Sequence, residues 1–394
     1  MTTTEVATVN AATPHNTKGD VFSSYNVEDF PIPRGRDEVW RFISLRRMRG
    51  LHNGEFAPAT TSDVAVEIPS DAEGVTHEVV GRDDERLGRA GAPVDRVAAQ
   101  AWTSMEQGDV VTFARDTQNK TPVVITVTGK GEGVTSFGAI SIEVEPGAEA
   151  IVALQYVGSG THADNVEFIV GDNARLTVIT DTHWDNDAVH LSNQLAKIGR
   201  DATLRHTVAT FGGEVVRIVP RVHFTAPGGD AEMLGVYFAD DGQYFEQRLL
   251  VDHAVPNCRS HVLYKGALQG DKNSDKPEAR TCWVGDVLIR ANAHGTDTYE
   301  ANRSLVLTEG ARADAIPNLE IETGQIVGAG HAATVGRFND EHVFYLQARG
   351  IPAEEARRLI VRGFFNEVIN KVPVESIREE LENRVSSELA VLGM

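Results

Sequence analysis

From about Asp109 to Leu319 the apolar positions come in short runs bounded by Gly, Asn, Asp and Pro. Val123-Val124-Ile125-Thr126-Val127, Ile140-Ser141-Ile142-Glu143-Val144, the run Ile151 to Val157 and Arg175 to Thr180 are typical. β-Branched residues in runs this short form strands, and no amphipathic helical period interrupts them, so this stretch predicts an all-β body. A Gly-x-x-Ala turn recurs just before strands, at Gly147 to Ala150, Gly171 to Ala174, Gly199 to Ala202, Gly228 to Ala231 and Gly310 to Ala313. The first four alanines are 24, 28 and 29 residues apart, and the last gap of 82 is close to three further periods of about 27. A repeat of that length is what stacked coils leave in a sequence: glycine turns each corner, a small alanine tucks inward, and the next apolar residues enter a shared core.

The flanks read differently. Residues 1–20 are small and polar and read as a flexible tail, and residues 21–108 as an N-terminal helical region. Within it, Val39, Trp40, Phe42, Ile43, Leu45 and Met48 suggest one helix, and Val97, Ala98, Ala101, Trp102 and Met105 gather on one face of a second, from Asp95 to Gln107. The coil body is expected over 109–335 and a C-terminal helical region over 336–394. There, Asn339-Asp340 cap a short helix ended by Gly350, Pro352 opens a longer one to Lys371, and Ser376 with Glu379 form a capping box for the last.

Composition narrows the function. A formal charge of −20 opposes phosphate, so neither a nucleic-acid nor an anionic-membrane surface is expected. No apolar run is long enough to span a bilayer and no secretory signal pattern opens the chain, so a cytoplasmic protein is expected. Two cysteines, Cys258 and Cys282, are too few for a disulfide framework or for a cluster held by four thiolates. Cys282 sits in a strand-like run and reads as core.

Motifs for catalysis are missing. Gly129-Lys130-Gly131-Glu132-Gly133 lacks the spacing and hydroxyl of a phosphate-binding loop, and no serine elbow, zinc-protease pair or dinucleotide fingerprint occurs. No residue is assigned a catalytic role. Asp240-Asp241 and Asp185/Asp187 could line the cleft of a β-helix carbohydrate-active enzyme, the competing function, although acids in such loops commonly serve turns. The thirteen histidines form no cluster in sequence, so any metal site would draw its ligands from different coils or from across a subunit boundary. His331 stands apart because small residues surround it, in Gly328-Ala329-Gly330-His331-Ala332-Ala333, leaving its imidazole accessible.

Ala315-Ile316-Pro317-Asn318-Leu319-Glu320-Ile321, Gly330-His331-Ala332-Ala333-Thr334-Val335-Gly336 and Phe344-Tyr345-Leu346-Gln347-Ala348-Arg349-Gly350-Ile351, in this order, resemble the C-terminal signature of the SufB/SufD family of the SUF iron–sulfur cluster assembly system. Pro33-Arg34 followed by Glu38-Val39-Trp40-Arg41-Phe42 is similar to the opening segment of its SufD-type members. The resemblance implies a mainly β fold, a right-handed parallel β-helix flanked by N-terminal and C-terminal α-helical parts. It implies a non-catalytic scaffold that pairs with a SufB-type subunit and docks a SufC-type ATPase.

His331 matches the family's interface histidine and is the expected iron or cluster ligand, or site of iron uptake. The stretch Glu300-Ala301-Asn302-Arg303-Ser304 lacks the cysteine of SufB-type chains, and His331-Ala332 replaces their His-Glu pair; both favour the SufD branch. Many SufD chains carry a cysteine two residues before the histidine, where this chain has Ala329. Phe364, Phe365 and Ile369 are the expected anchors for the ATPase. No cofactor is expected to stay on the isolated chain; an iron–sulfur cluster would form transiently in the complex, where flavin is also open. A homodimer of the isolated chain is compatible with this reading.

Overall fold

The apolar runs become strands that alternate between two sheets. The computed structural model of the chain describes residues 17–338 and 340–391. Before the body come β1 (Ala59–Thr61), β2 (Asp63–Glu67), β3 (Val75–Gly81) and α1 (Arg96–Ser104). The body comprises β4 (Gln107–Phe113), β5 (Val123–Thr128), β6 (Thr135–Val144), β7 (Glu149–Gly158), β8 (Thr161–Val170), β9 (Arg175–Trp184), β10 (Val189–Ile198) and β11 (Thr203–Gly212). It continues through β12 (Val215–Phe224), β13 (Asp230–Ala239), β14 (Tyr244–His253), β15 (Arg259–Leu268), β16 (Ala279–Ile289), β17 (Asp297–Val306), β18 (Ala311–Ile321) and β19 (Gly328–Arg337). Then follow α2 (Asp340–Gln347), α3 (Ala353–Ile369) and α4 (Glu375–Val391).

Even-numbered strands from β4 to β18 form one parallel ladder and odd-numbered strands from β5 to β19 the other, so each consecutive pair is one coil of a β-solenoid of about eight turns. β3 and β2 add antiparallel to β4 and β5 at the first end. Side chains alternate across each strand: Val166, Phe168 and Val170 of β8 enter the lumen core, whereas Ala163 faces outward.

Register fixes the coil length. Glu149, Arg175, Thr203, Asp230, Arg259, Asp297 and Gly328 stand in one row, in steps of 26, 28, 27, 29, 38 and 31 residues. The first four Gly-x-x-Ala turns mark the corners before β7, β9, β11 and β13, with Ala174 and Ala202 wholly buried and Gly147 and Gly228 at φ +77° and +85°. The fifth does not belong to the series. Gly310 to Ala313 leads into β18 in the other sheet, and the equivalent corner is Gly295-Thr296, before β17. The loop between β15 and β16 lengthens one coil and breaks the period.

The two outer faces are covered by the chain's own ends. Trp40, Ile43, Met48, Leu51, Val97 and Ala101 pack on Phe137, Ala163, Leu191 and Val215 of the even-numbered sheet. Only α1 of the expected N-terminal helical region is an α-helix; its cap is Asp95, whose Oδ1 accepts from the Ala98 amide at 2.9 Å. The segment Val39 to Met48 is a series of turns ending in a 3-10 turn, Leu45–Met48. Two arginines pull it out along the coil corners: Arg47 Nε is 3.1 Å from Glu214 Oε1, Arg49 Nη2 is 2.9 Å from Glu214 Oε2, and the same guanidinium groups donate to the carbonyls of Gly242 and Asp187. Thr17 to Asp20, the end of the expected tail, is also held, with the Lys18 amide on Glu320 at 3.1 Å and Asp20 on Arg290 at 3.0 Å.

On the opposite side Val361, Phe365, Val368, Ile369, Leu381, Val385 and Leu389 of α3 and α4 cover Phe211, Val236, Phe238 and Ala301. The three expected C-terminal helices form. Asn339, part of the expected first cap, lies outside the described residues; Gly350 takes φ +87° after α2, and α4 begins at Glu375, ahead of the expected cap at Ser376. Among the described residues no helix is long and apolar enough to cross a membrane.

Candidate functional site

The last coil leaves the solenoid open at one end. Among the described residues β18 and β19 terminate their ladders with no strand beyond them, so each presents an unpaired edge. Proteins blunt such edges with charges or proline. β18 carries Pro317, whereas β19 has no proline and, apart from its histidine, no charged residue before Arg337 at its end. Ile321, Val327 and Val335 are 45%, 74% and 48% exposed around it. An unpaired strand edge rimmed by apolar side chains is open to pairing with a further strand.

His331 lies on this edge strand, directly opposite Glu300 of β17. Partners in a parallel register share a face, so both point to the lumen side; because no coil follows, the imidazole is 43% exposed while the carboxyl beneath is wholly buried. Nδ1 of His331 is 3.8 Å from Oε1 of Glu300, and neither Glu300 side-chain oxygen has a hydrogen-bond partner. Room for the carboxyl comes from Gly285, where a Cβ would stand 2.5 Å from Glu300 Oε2 and 2.3 Å from the Trp283 ring. Burial pushes the Glu300 carboxyl up to about 8, with the negative Asp286 adding to the shift and the nearby backbone of Asn318 opposing it. At neutral pH the site is therefore a neutral acid behind an accessible imidazole. Such a pair can exchange a proton, or bind a divalent cation once that proton leaves.

The expected ATPase anchors are corrected in part. Phe365 and Ile369 belong to the chain's own core, Phe365 meeting the Phe238 ring at 6.4 Å between centroids. Only Phe364 is partly exposed, and its ring lies 4.6 Å from Lys265 Nζ. The helix turns one of two adjacent aromatics inward by about 100°, and here the inward one plugs the sheet. The accessible aromatics are instead Phe344 and Tyr345 on α2, 71% and 57% exposed.

Both cysteines are buried, and desolvation pushes both thiols up, so neither offers a thiolate. Two aspartates of the competing reading serve corners: Asp187 accepts from the Ser159 hydroxyl, and Asp241 from the Asp271 amide at 2.8 Å. Glu300 escaped the sequence reading. Its signal was the alternation Thr298, Glu300, Asn302, Ser304, a polar inward face one coil before His331.

The site thus combines a β-solenoid, its terminal rung and an exposed histidine set over a buried carboxyl. A model of the SUF system FeS cluster assembly SufBD core domain matches residues 126–364. An iron-sulfur cluster assembly SufBD family protein of Mycobacterium bovis is 56% identical over 377 residues, covering 96% of this chain and 94% of that one. One of Mycobacterium leprae is 56% identical over 374 residues, covering 95% of each. A second SufBD family protein of M. leprae is 28% identical over 227 residues, 58% of this chain and 25% of that protein. The chain belongs to the SufBD family of iron–sulfur cluster assembly proteins.

Proposed function

We propose that this chain is the SufD-type, non-catalytic scaffold of a cytoplasmic assembly complex, joining a SufB-type paralogue through the β18–β19 end and carrying a SufC-type ATPase on its C-terminal helices. The observation that carries the reading is the bare edge of β19 with His331 on it. A paralogue supports it too, since M. leprae has a SufBD family protein similar to this chain and a second, more distant one. In this reading iron is cargo. His331 offers its imidazole at the subunit boundary, and Glu300 behind it gives up a proton as positive charge arrives, which offsets part of the charge the ion brings. Phe344 and Tyr345, rather than Phe365 and Ile369, supply the aromatic anchors for the ATPase.

The test is isolation of the complex with wild-type chain and with His331→Ala, followed by iron and sulfide analysis and visible absorption. We expect the variant complex to keep its subunits and lose most of its cluster, at least about ten-fold, the scale of losing one charge-assisted ligand. An intact variant complex with undiminished cluster would remove His331 from the function, and a wild-type chain that recovers neither partner from native lysate would remove the scaffold reading.

A further inference from the structure

Far from the open end, in the lumen of the third and fourth coils, His162, Asp164 and His190 bring three metal-ligating side chains together. Their ligand atoms all lie within 4.8 Å of one another, and the residues are 2%, 1% and 0% exposed. Register makes the cluster: His162 of β8 pairs directly with His190 of β10, 28 residues later, so two histidines remote in sequence stack on adjacent rungs. His162 Nε2 is 3.3 Å from Asp164 Oδ2, and His190 Nε2 is 3.6 Å from Asp164 Oδ1. A tetrahedral ion with bonds of 2.0–2.1 Å has ligand-to-ligand edges of about 3.4 Å, which these separations match.

Within the cluster one hydrogen bond forms, between His162 Nε2 and Asp164 Oδ2 at 3.3 Å. Both ring nitrogens of His190 and Oδ1 of Asp164 have no hydrogen-bond partner, although all are buried. Unpaired buried polar atoms cost on the order of 1–3 kcal/mol each, so those of this cluster call for a partner. His162 Nδ1 shares a hydrogen bond with Ser136 Oγ at 2.9 Å, and the Tyr156 hydroxyl donates to Asp164 Oδ2 at 2.6 Å. These two contacts orient the His162 ring and the Asp164 carboxylate from outside the cluster, as second-shell partners orient ligands around an ion.

We propose that His162, Asp164 and His190 bind one divalent first-row transition ion, zinc or ferrous iron, as a structural pin joining adjacent coils inside the solenoid. Two imidazoles and a carboxylate suit these ions, and the absence of thiolate from the donor set disfavours cuprous copper. Closed on all sides, the site binds as the lumen forms, so the ion contributes to folding.

The test uses the full chain without a histidine tag. Metal content is measured as purified and after refolding with Zn(II), and with Fe(II) under anaerobic conditions. We expect about one ion per chain in wild type and in His331→Ala, and at least a five-fold loss in His190→Asn and Asp164→Asn. Refolding with Co(II) should give the visible bands of a tetrahedral site in wild type only. Should the variants fail to fold, wild type decides: refolding with Zn(II) rather than a chelator should raise Tm by several degrees through mass action. Wild type that refolds with fewer than about 0.1 ions per chain and an unchanged Tm would overturn the pin, as would full metal content in a folded His190→Asn chain.

Discussion

Glu300 Oε1 faces His331 Nδ1 at 3.8 Å across the β17–β19 ladder, a sealed carboxyl behind an open imidazole. The folded chain holds the Glu300 proton to about pH 8, whereas the ordinary value is 4.5. Between these values the unfolded chain has released the proton and the folded chain has not, so stability falls as pH rises through that window, and the whole penalty stands above 8. Glu300→Gln removes the titration while keeping the shape. Relative to wild type it should be near neutral at pH 5 and stabilising by on the order of 2–4 kcal/mol at pH 9, read from urea unfolding. A variant effect that is the same at both pH values would mean that the carboxyl is not held neutral.

Two tyrosines and two glycines exchange places in the lumen of the fifth and sixth coils. Gly235 pairs with Tyr264 and Tyr237 pairs with Gly266 on β13 and β15, so each ring lies over the neighbouring strand's glycine. A Cβ on Gly266 would stand 1.7 Å from the Tyr237 ring, and one on Gly235 would stand 2.0 Å from Tyr264. Tyr237 cannot simply turn away, because its hydroxyl accepts from Asn302 at 2.9 Å and contacts Ser304 at 3.2 Å. Gly266→Ala should therefore cost about 1–3 kcal/mol or more by overpacking, measured by denaturant unfolding. A smaller loss would show that the coil spacing relaxes.

Asp95 performs two tasks with one carboxylate, capping α1 through Oδ1 and meeting Arg217 Nη1 through Oδ2 at 2.9 Å. Arg217 is buried between Asp95, Glu246 at 3.3 Å and the Trp40 ring at 4.4 Å. Removing one partner of a buried pair leaves an uncompensated charge, so Asp95→Ala should destabilise by about 3–5 kcal/mol, cap included. Arg217→Met, which removes the buried cation but leaves the cap, should cost less if Glu246 can rely on Arg248, 3.3 Å away. Thermal unfolding of both variants orders the losses.

These relations separate what the sequence could disclose from what it could not. Strand texture and the corner turns marked a solenoid because each coil must bury its own inward face and turn its own corner, both local demands on residues such as Ala174 and Ala202. The buried set Trp40, Ile43 and Met48 was also legible, but its helix was not formed: Arg47 and Arg49 fasten that segment to corners on three successive coils, a tertiary constraint that overrides a weak local preference. Partnerships between coils were out of reach, because register is set by coil lengths of 26 to 38 residues that vary with loop insertions. Glu300 with His331, and His162 with His190, exist only once those lengths are known.

Phe365 and Phe344 mark the difference between holding the C-terminal helices and offering them. Phe365 is wholly buried against Phe238, whereas Phe344 is 71% exposed on α2. Phe365→Ala should cost about 3–5 kcal/mol, and because α3 and α4 cover only the outer face of one sheet, the loss should be local. Hydrogen exchange should quicken in α3, α4 and the strands beneath while the lumen-facing rungs of β6 to β10 stay protected. Phe344→Ala removes little intramolecular packing, so the isolated chain should keep its stability within about 0.5 kcal/mol. If α2 carries the ATPase, that variant should nonetheless retain much less of it through a co-purification wash, an effect of about 1–2 kcal/mol or more on affinity. Retention that survives Phe344→Ala and fails with Phe365→Ala would place the docking surface on α3 and α4 instead.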